Sequence, residues 1–165
     1  MTRRGALPPF DQVVREHGGL VLRACRAVVG PDDAEDVWSE TFIAALRAYP
    51  DLRPDSNMAA WLVTIARRKG VDALRARGRR PVPVAEVPEE AKGEHAGADE
   101  ALAPEVWRFV ADLPTKQRHV ITYRYLGGLN YAQIADLVGG TDIAARRAAA
   151  DGLRSLRARL AEEES

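Results

Sequence analysis

The residues of this 165-residue chain with the most obvious chemical use are its arginines. Between Arg67 and Arg80 seven basic residues stand against the single Asp72. On a helix Arg67, Arg68, Arg75 and Arg79 share an arc of about 120°, interrupted by Val71, which suits a track of phosphates. A second pair, Arg146 and Arg147, follows Gly139-Gly140 at the start of another apolar-periodic run. Catalytic constellations are not found. His17, His95 and His119 are scattered without metal-ligand spacing, no serine or cysteine sits in a nucleophile signature, and no glycine-rich phosphate loop occurs. The expectation is a protein that is not an enzyme and needs neither cofactor nor metal.

The charge balance sharpens this. Lys+Arg and Asp+Glu both number 24, giving a formal net charge of zero. By segment, however, residues 1–80 carry +4, residues 81–100 carry −5, residues 101–160 carry +4 and the last five carry −3. Two basic blocks therefore flank an acidic middle, the pattern of a polyanion-binding protein with acidic faces elsewhere. An acidic segment between two basic ones could also shield them from free DNA. Cys25, the lone cysteine, excludes an internal disulfide; with Val14, Gly18, Val21 and Val28 at helical spacing it reads as a small core residue. No run of about 18 apolar residues indicates a membrane span, and Met1-Thr2-Arg3-Arg4 is not followed by a signal-peptide core. A cytoplasmic protein is expected.

The elements that must position these groups are helices throughout, because apolar residues recur at helical spacing and no stretch alternates as a strand would. A first helix is predicted over about Phe10 to Val29, ended by Gly30-Pro31. A second follows the acidic stretch 32–36 with Val37, Trp38, Phe42, Ala45, Leu46 and Tyr49 turned inward, and halts at Pro50. A third spans roughly Met58 to Arg77, with Trp61 in step with Met58, Leu62 and Ile65 and so read as core. Residues 81–97 have linker composition. Beyond them Pro114 opens a helix over Thr115 to Leu126, and Asn130 with Gln133 resembles a capping box. The glycine pair and a helix from Thr141 or Asp142 to about Leu160, weakened at Gly152, complete a helix-turn-helix pattern.

Three stretches taken together resemble a known family: 33–42 (DAEDVWSETF), 60–68 (AWLVTIARR) with 71–75 (VDALR), and 113–118 (LPTKQR), with the 131–139 helix beside them. In order and spacing they are similar to bacterial RNA polymerase sigma factors of the small extracytoplasmic-function type. The resemblance implies an all-α protein of two small helical domains, a sigma2-like domain over 8–80 and a sigma4-like helix-turn-helix domain over 99–161, joined by a flexible linker over 81–98. It implies binding to core RNA polymerase, to promoter DNA both as duplex and as melted single strand, and to an anti-sigma protein. Carried over position by position, Asp36, Glu40 and Phe42 are the candidates for polymerase binding, although acids there also favour a helix N-terminus. Asp55, Ser56, Asn57, Arg67, Arg68 and Arg75 are the candidates for the minus-ten element. Lys116, Arg118, Tyr131, Gln133, Arg146 and Arg147 are those for the minus-thirty-five element. The start of the recognition helix, 143–150, departs from the family in its nearly all-alanine surface. Two other readings stand beside the sigma factor: a stand-alone helix-turn-helix regulator and a sigma-like interaction protein.

Overall fold

The structure is a computed structural model that describes residues 6–78 and 102–165. The expected linker over 81–98, with Arg79, Arg80 and His95, lies outside the described residues. Within them every regular element is helical. The first half holds α1 (Phe10–Val29), α2 (Ala34–Ala48), which runs into a 3-10 turn over Tyr49–Asp51, and α3 (Met58–Ala76). The second half begins with a 3-10 turn over Pro104–Val106. It continues with α4 (Trp107–Val110), α5 (Thr115–Tyr125), α6 (Tyr131–Val138) and α7 (Asp142–Glu163).

Local chemistry explains most boundaries. Gly30, at φ 84°, ends α1 in a conformation that other residues avoid. Asn57 caps α3 with its side-chain oxygen, which accepts from the Ala60 N–H at 3.1 Å. The capping box of α6 is complete: Asn130 accepts from Gln133 N–H at 2.8 Å, and Gln133 accepts from Asn130 N–H at 2.9 Å. Thr141 caps α7 by accepting from Ala144 N–H at 3.1 Å. That helix runs three residues past the expected end at Leu160.

In the first half α1, α2 and α3 pack mutually around Val13, Val21, Cys25, Val37, Leu62 and Val63. Cys25 is fully buried as expected, and burial pushes its thiol up to about 11. Aromatic rings close one end: Phe42 sits 4.7 Å from Trp38 and 6.3 Å from Phe10, and Tyr49 lies 6.3 Å from Trp61. Leu46, expected inward, is instead 55% exposed, because the α2 face it occupies has no neighbour among the described residues.

The two halves are not separate bodies. α1 packs against α5, and one buried cluster runs from Val13 and Val63 through Val120 and Tyr123 to Leu137. At this junction Arg67 of α3, only 2% exposed, donates from Nη2 at 2.7 Å and from Nε at 3.2 Å to the Leu137 carbonyl at the end of α6. Its guanidinium carbon lies 5.8 Å from the centre of the Tyr123 ring.

Close helix approach also explains two glycines. A Cβ on Gly152 of α7 would lie 2.4 Å from Cδ1 at the tip of the Ile121 side chain of α5, so this glycine, read from sequence as a weak point, marks a close approach of the two helices. A Cβ on Gly70 of α3 would lie 2.5 Å from Val28 Cγ1 and 3.1 Å from Val28 Cβ. Helix propensity alone makes Gly70→Ala stabilising by about 1 kcal/mol. Overpacking against Val28 reverses the sign, and a net loss of about 1–2 kcal/mol is expected in urea unfolding.

Candidate nucleic-acid and polymerase interfaces

The outward face of α2 is the first candidate surface. Asp36, Ser39, Glu40, Ile43, Leu46 and Arg47 are all exposed and share one side of the helix, within an arc of about 120°. Ile43 is 46% exposed and Leu46 55%, so the face is an apolar ridge between charged residues. Phe42, grouped with Asp36 and Glu40 from sequence, points the other way. It is 7% exposed and packed on Trp38 and Phe10, so it supports the helix from behind. Sequence reasoning missed Ile43 and Leu46. Their signal was the spacing from Asp36 and Glu40, which puts 43 on the same face.

The second surface lies along α3 and the loop before it. Arg68 and Arg75 are exposed, as is Asp72, while Val71 is buried. Arg67 departs from this set, because its fixed partners are the Leu137 carbonyl and Tyr123. Asp55 is exposed and pairs with Arg53 at 3.3 Å. Ser56 is half-buried, and Asn57 is buried with its oxygen committed to the α3 cap. Arg77, at the C-terminal end of α3, pairs with Asp33 before α2 and ties these helix ends together.

The third surface surrounds the N-terminus of α7. Arg146 and Arg147 are exposed, Ile143 is 71% exposed, and Lys116 of α5 is exposed beside them. A groove of about 430 Å³ runs among Lys116, Gln117, Thr141, Ile143 and Arg147. Tyr131 is held between two cations, with the guanidiniums of Arg124 and Arg146 each 4.9 Å from its ring centre. That contact aims Arg146 and joins α6 to α7. Gln133 spends its side-chain oxygen on the capping box. Arg118 is separated from this group. Two residues beyond Lys116, it emerges on the opposite side of α5 and donates to the Ala111 carbonyl at 3.3 Å.

Beside Arg67 the junction holds a buried histidine. His119 of α5 has a hydrogen bond to the Ala27 backbone of α1, its ring centre is 6.0 Å from that of Tyr123, and its Nε2 has no partner. Burial first, then the cations Arg67 and Arg118, push it down to about 4. Tyr123, fully buried, is pushed up by its burial. Among the described residues no cluster of His, Cys, Asp or Glu could hold a metal ion, and no helix is long and apolar enough to cross a membrane.

Comparison with known proteins finds a match in each half of the chain. Residues 13–80 match Sigma-70 region 2 and residues 104–156 match Sigma-70, region 4. The RNA polymerase sigma-H factor of Pseudomonas aeruginosa is 33% identical over 150 residues, covering 82% of this chain and 78% of that protein. The ECF RNA polymerase sigma-E factor of Escherichia coli K12 has the same identity and coverage. Among solved structures, CnrH in complex with the cytosolic domain of CnrY is 28% identical with a TM-score of 0.55, over 93% of this chain and 88% of that one. The sigma factor RpoE in complex with the anti-sigma factor NepR from Bartonella quintana shares the fold at 20% identity. Its TM-score is 0.61, over 92% and 96% of the two chains.

The buried histidine makes stability depend on pH. With the folded value lowered from 6.5 to about 4, the unfolded chain binds the proton first. The folded state therefore keeps its full advantage above pH 6.5 and loses it as pH falls toward 4, by about 3 kcal/mol from this residue. His17, also lowered by burial, acts in the same direction. Urea unfolding between pH 7 and pH 4.5 is expected to show this slope in the native chain and a shallower one in His119→Gln.

Proposed function

The chain belongs to the sigma-70 family as an extracytoplasmic-function RNA polymerase sigma factor, and from this premise we propose how its surfaces divide the work. It directs core RNA polymerase to promoters. The observation that carries the division is the α2 face, where the exposed Ile43 and Leu46 follow Asp36 and Glu40 along the same side of the helix with no partner among the described residues. A ridge of this kind suits docking on a helical surface of polymerase, with the charged residues setting register. Phe42 contributes by holding α2 in place. A stand-alone helix-turn-helix regulator accounts for α6 and α7 but not for a region 2 over residues 13–80.

The domain over 8–80 reads and melts the minus-ten element, and the domain over 99–161 reads the minus-thirty-five element. In the first, Arg68 and Arg75 hold phosphates of the melted strand, with Asp55 and Ser56 at the loop that receives bases. Asn57 acts there as the cap that shapes the loop. In the second, Arg146 and Arg147 reach base edges or phosphates, Lys116 grips the backbone, and Ile143 offers apolar contact to a thymine methyl. Tyr131 and Gln133 position these groups.

The closed arrangement cannot be the promoter-bound one. The two elements lie about 25 base pairs apart, or about 85 Å along the duplex, whereas here α1 packs directly on α5. Polymerase docking through α2, which the closed form leaves exposed, must precede or accompany separation of the halves. Separation frees Arg67 from Leu137 and returns it to the basic face of α3. An anti-sigma protein belongs to the same reading as a partner that holds the closed form. The covalent chemistry is the polymerase's own, and the site of action is the cytoplasm, where chromosome and polymerase are.

Three measurements test this. Ile43→Ala with Leu46→Ala is expected to weaken binding to core polymerase at least ~10-fold while leaving stability within about 0.5 kcal/mol. Arg146→Ala is expected to weaken promoter binding by the holoenzyme by about 1–3 kcal/mol. Spin labels at the exposed Glu16 and Ser155 are expected to give one short distance in the free chain and a separation longer by tens of ångströms, on the order of the 85 Å element spacing, on a promoter. An unchanged distance would refute the opening.

A further inference from the structure

A cavity of about 350 Å³ lies where α1 of the first half meets α4 and α5 of the second. Four guanidiniums line it, those of Arg23, Arg26, Arg108 and Arg118, together with the Trp107 indole, and no carboxylate does. Arg108 is neutralised by its ion pair with Glu163 at the end of α7. The other three have no carboxylate within ion-pair distance among the described residues. Arg118 donates from Nη1 to the Ala111 carbonyl, yet its Nε is buried without an acceptor. Arg23 lies 5.9 Å from the centre of the Trp107 ring.

Like charges gathered around a concave wall repel one another until an anion joins them, and the field they focus draws one in. Guanidinium forks match phosphate oxygens bidentately. Three cations without a carboxylate partner among the described residues suit a multiply charged group better than a single carboxylate. The indole wall adds a surface for an aromatic ring, and the volume falls within the range of small-molecule sites.

We propose that this junction cavity binds a nucleoside polyphosphate, with its phosphates on Arg26 and Arg118 and its ring against Trp107, and that its occupancy holds the two halves closed. The coupling follows from construction. Arg23, Arg26 and Ala27 come from α1 and the remaining residues from the second half, so the site exists only while the halves touch. A ligand that binds only the closed form shifts the population toward it and away from promoter engagement. The proposal rests on the reading of the open form as the transcribing one.

Calorimetry of the full chain with ADP, inorganic pyrophosphate and adenosine tests it. ADP is expected to bind, pyrophosphate more weakly and adenosine not at all. Arg26→Gln and Arg118→Gln are each expected to weaken ADP binding at least tenfold, whereas Arg147→Ala leaves it unchanged. With the Glu16 and Ser155 labels, ADP should raise the short-distance fraction and slow promoter melting by the holoenzyme. Arg26→Gln, outside the three candidate surfaces described above, should melt promoters as the native chain does without ADP and ignore its addition. Absence of ADP binding by the native chain, or equal binding by Arg26→Gln, overturns the site. Failure of the native holoenzyme to melt promoters without any nucleoside polyphosphate present would instead overturn the transcription reading beneath it.

Discussion

The structure turns on one buried charge. Arg67 leaves the basic face of α3, crosses the junction and rests two N–H donors on the Leu137 carbonyl, with the Tyr123 ring beside its guanidinium. No carboxylate answers it among the described residues, and its Nη1 has no partner. A cation so placed gives up hydration that a single carbonyl and a π face only partly replace. The surrounding apolar contacts, Val63, Val120 and Leu137 among them, keep the halves together in spite of it. The junction is thus held by packing and strained by charge, which suits two arrangements of similar free energy. The same residue serves both: inside, it satisfies the Leu137 carbonyl near the end of α6; in the proposed open form, it rejoins Arg68 and Arg75.

Around this junction the surfaces differ in availability. The α2 ridge faces solvent in the closed form, and the arginines at the start of α7 are also exposed. What closure withholds is the distance between the two readers and the cation at the head of the α3 track. Control therefore acts on geometry as much as on contact. A neutral chain with two basic halves is steered weakly to DNA when free, and the closed arrangement adds a mechanical reason for the same restraint.

Much of this was legible in the sequence because it is local. Gly30-Pro31, the Asn57 cap, the Asn130–Gln133 box and Gly139-Gly140 mark helix ends through groups only a few residues apart, and the helices stop at them. The core role of Cys25 and the exposure of Arg68, Arg75, Arg146 and Arg147 follow from periodicity. Periodicity failed where two faces of a helix are both apolar. On α2 it could not say that Phe42 goes in while Leu46 stays out, because that depends on where α1 and α3 stand.

The sequence by itself determined an all-helical chain, most of its helix limits and the family to which its motifs point, since each rests on short-range hydrogen bonding and side-chain spacing. Only the tertiary structure decided that Arg67 is buried, that Arg118 belongs to the junction and not to the recognition helix, and that Gly70 is needed where α3 meets Val28. Those outcomes depend on contacts across the chain, such as Arg67 with Leu137, where the free energy of burial is set by which surfaces meet and not by any residue's neighbours in sequence.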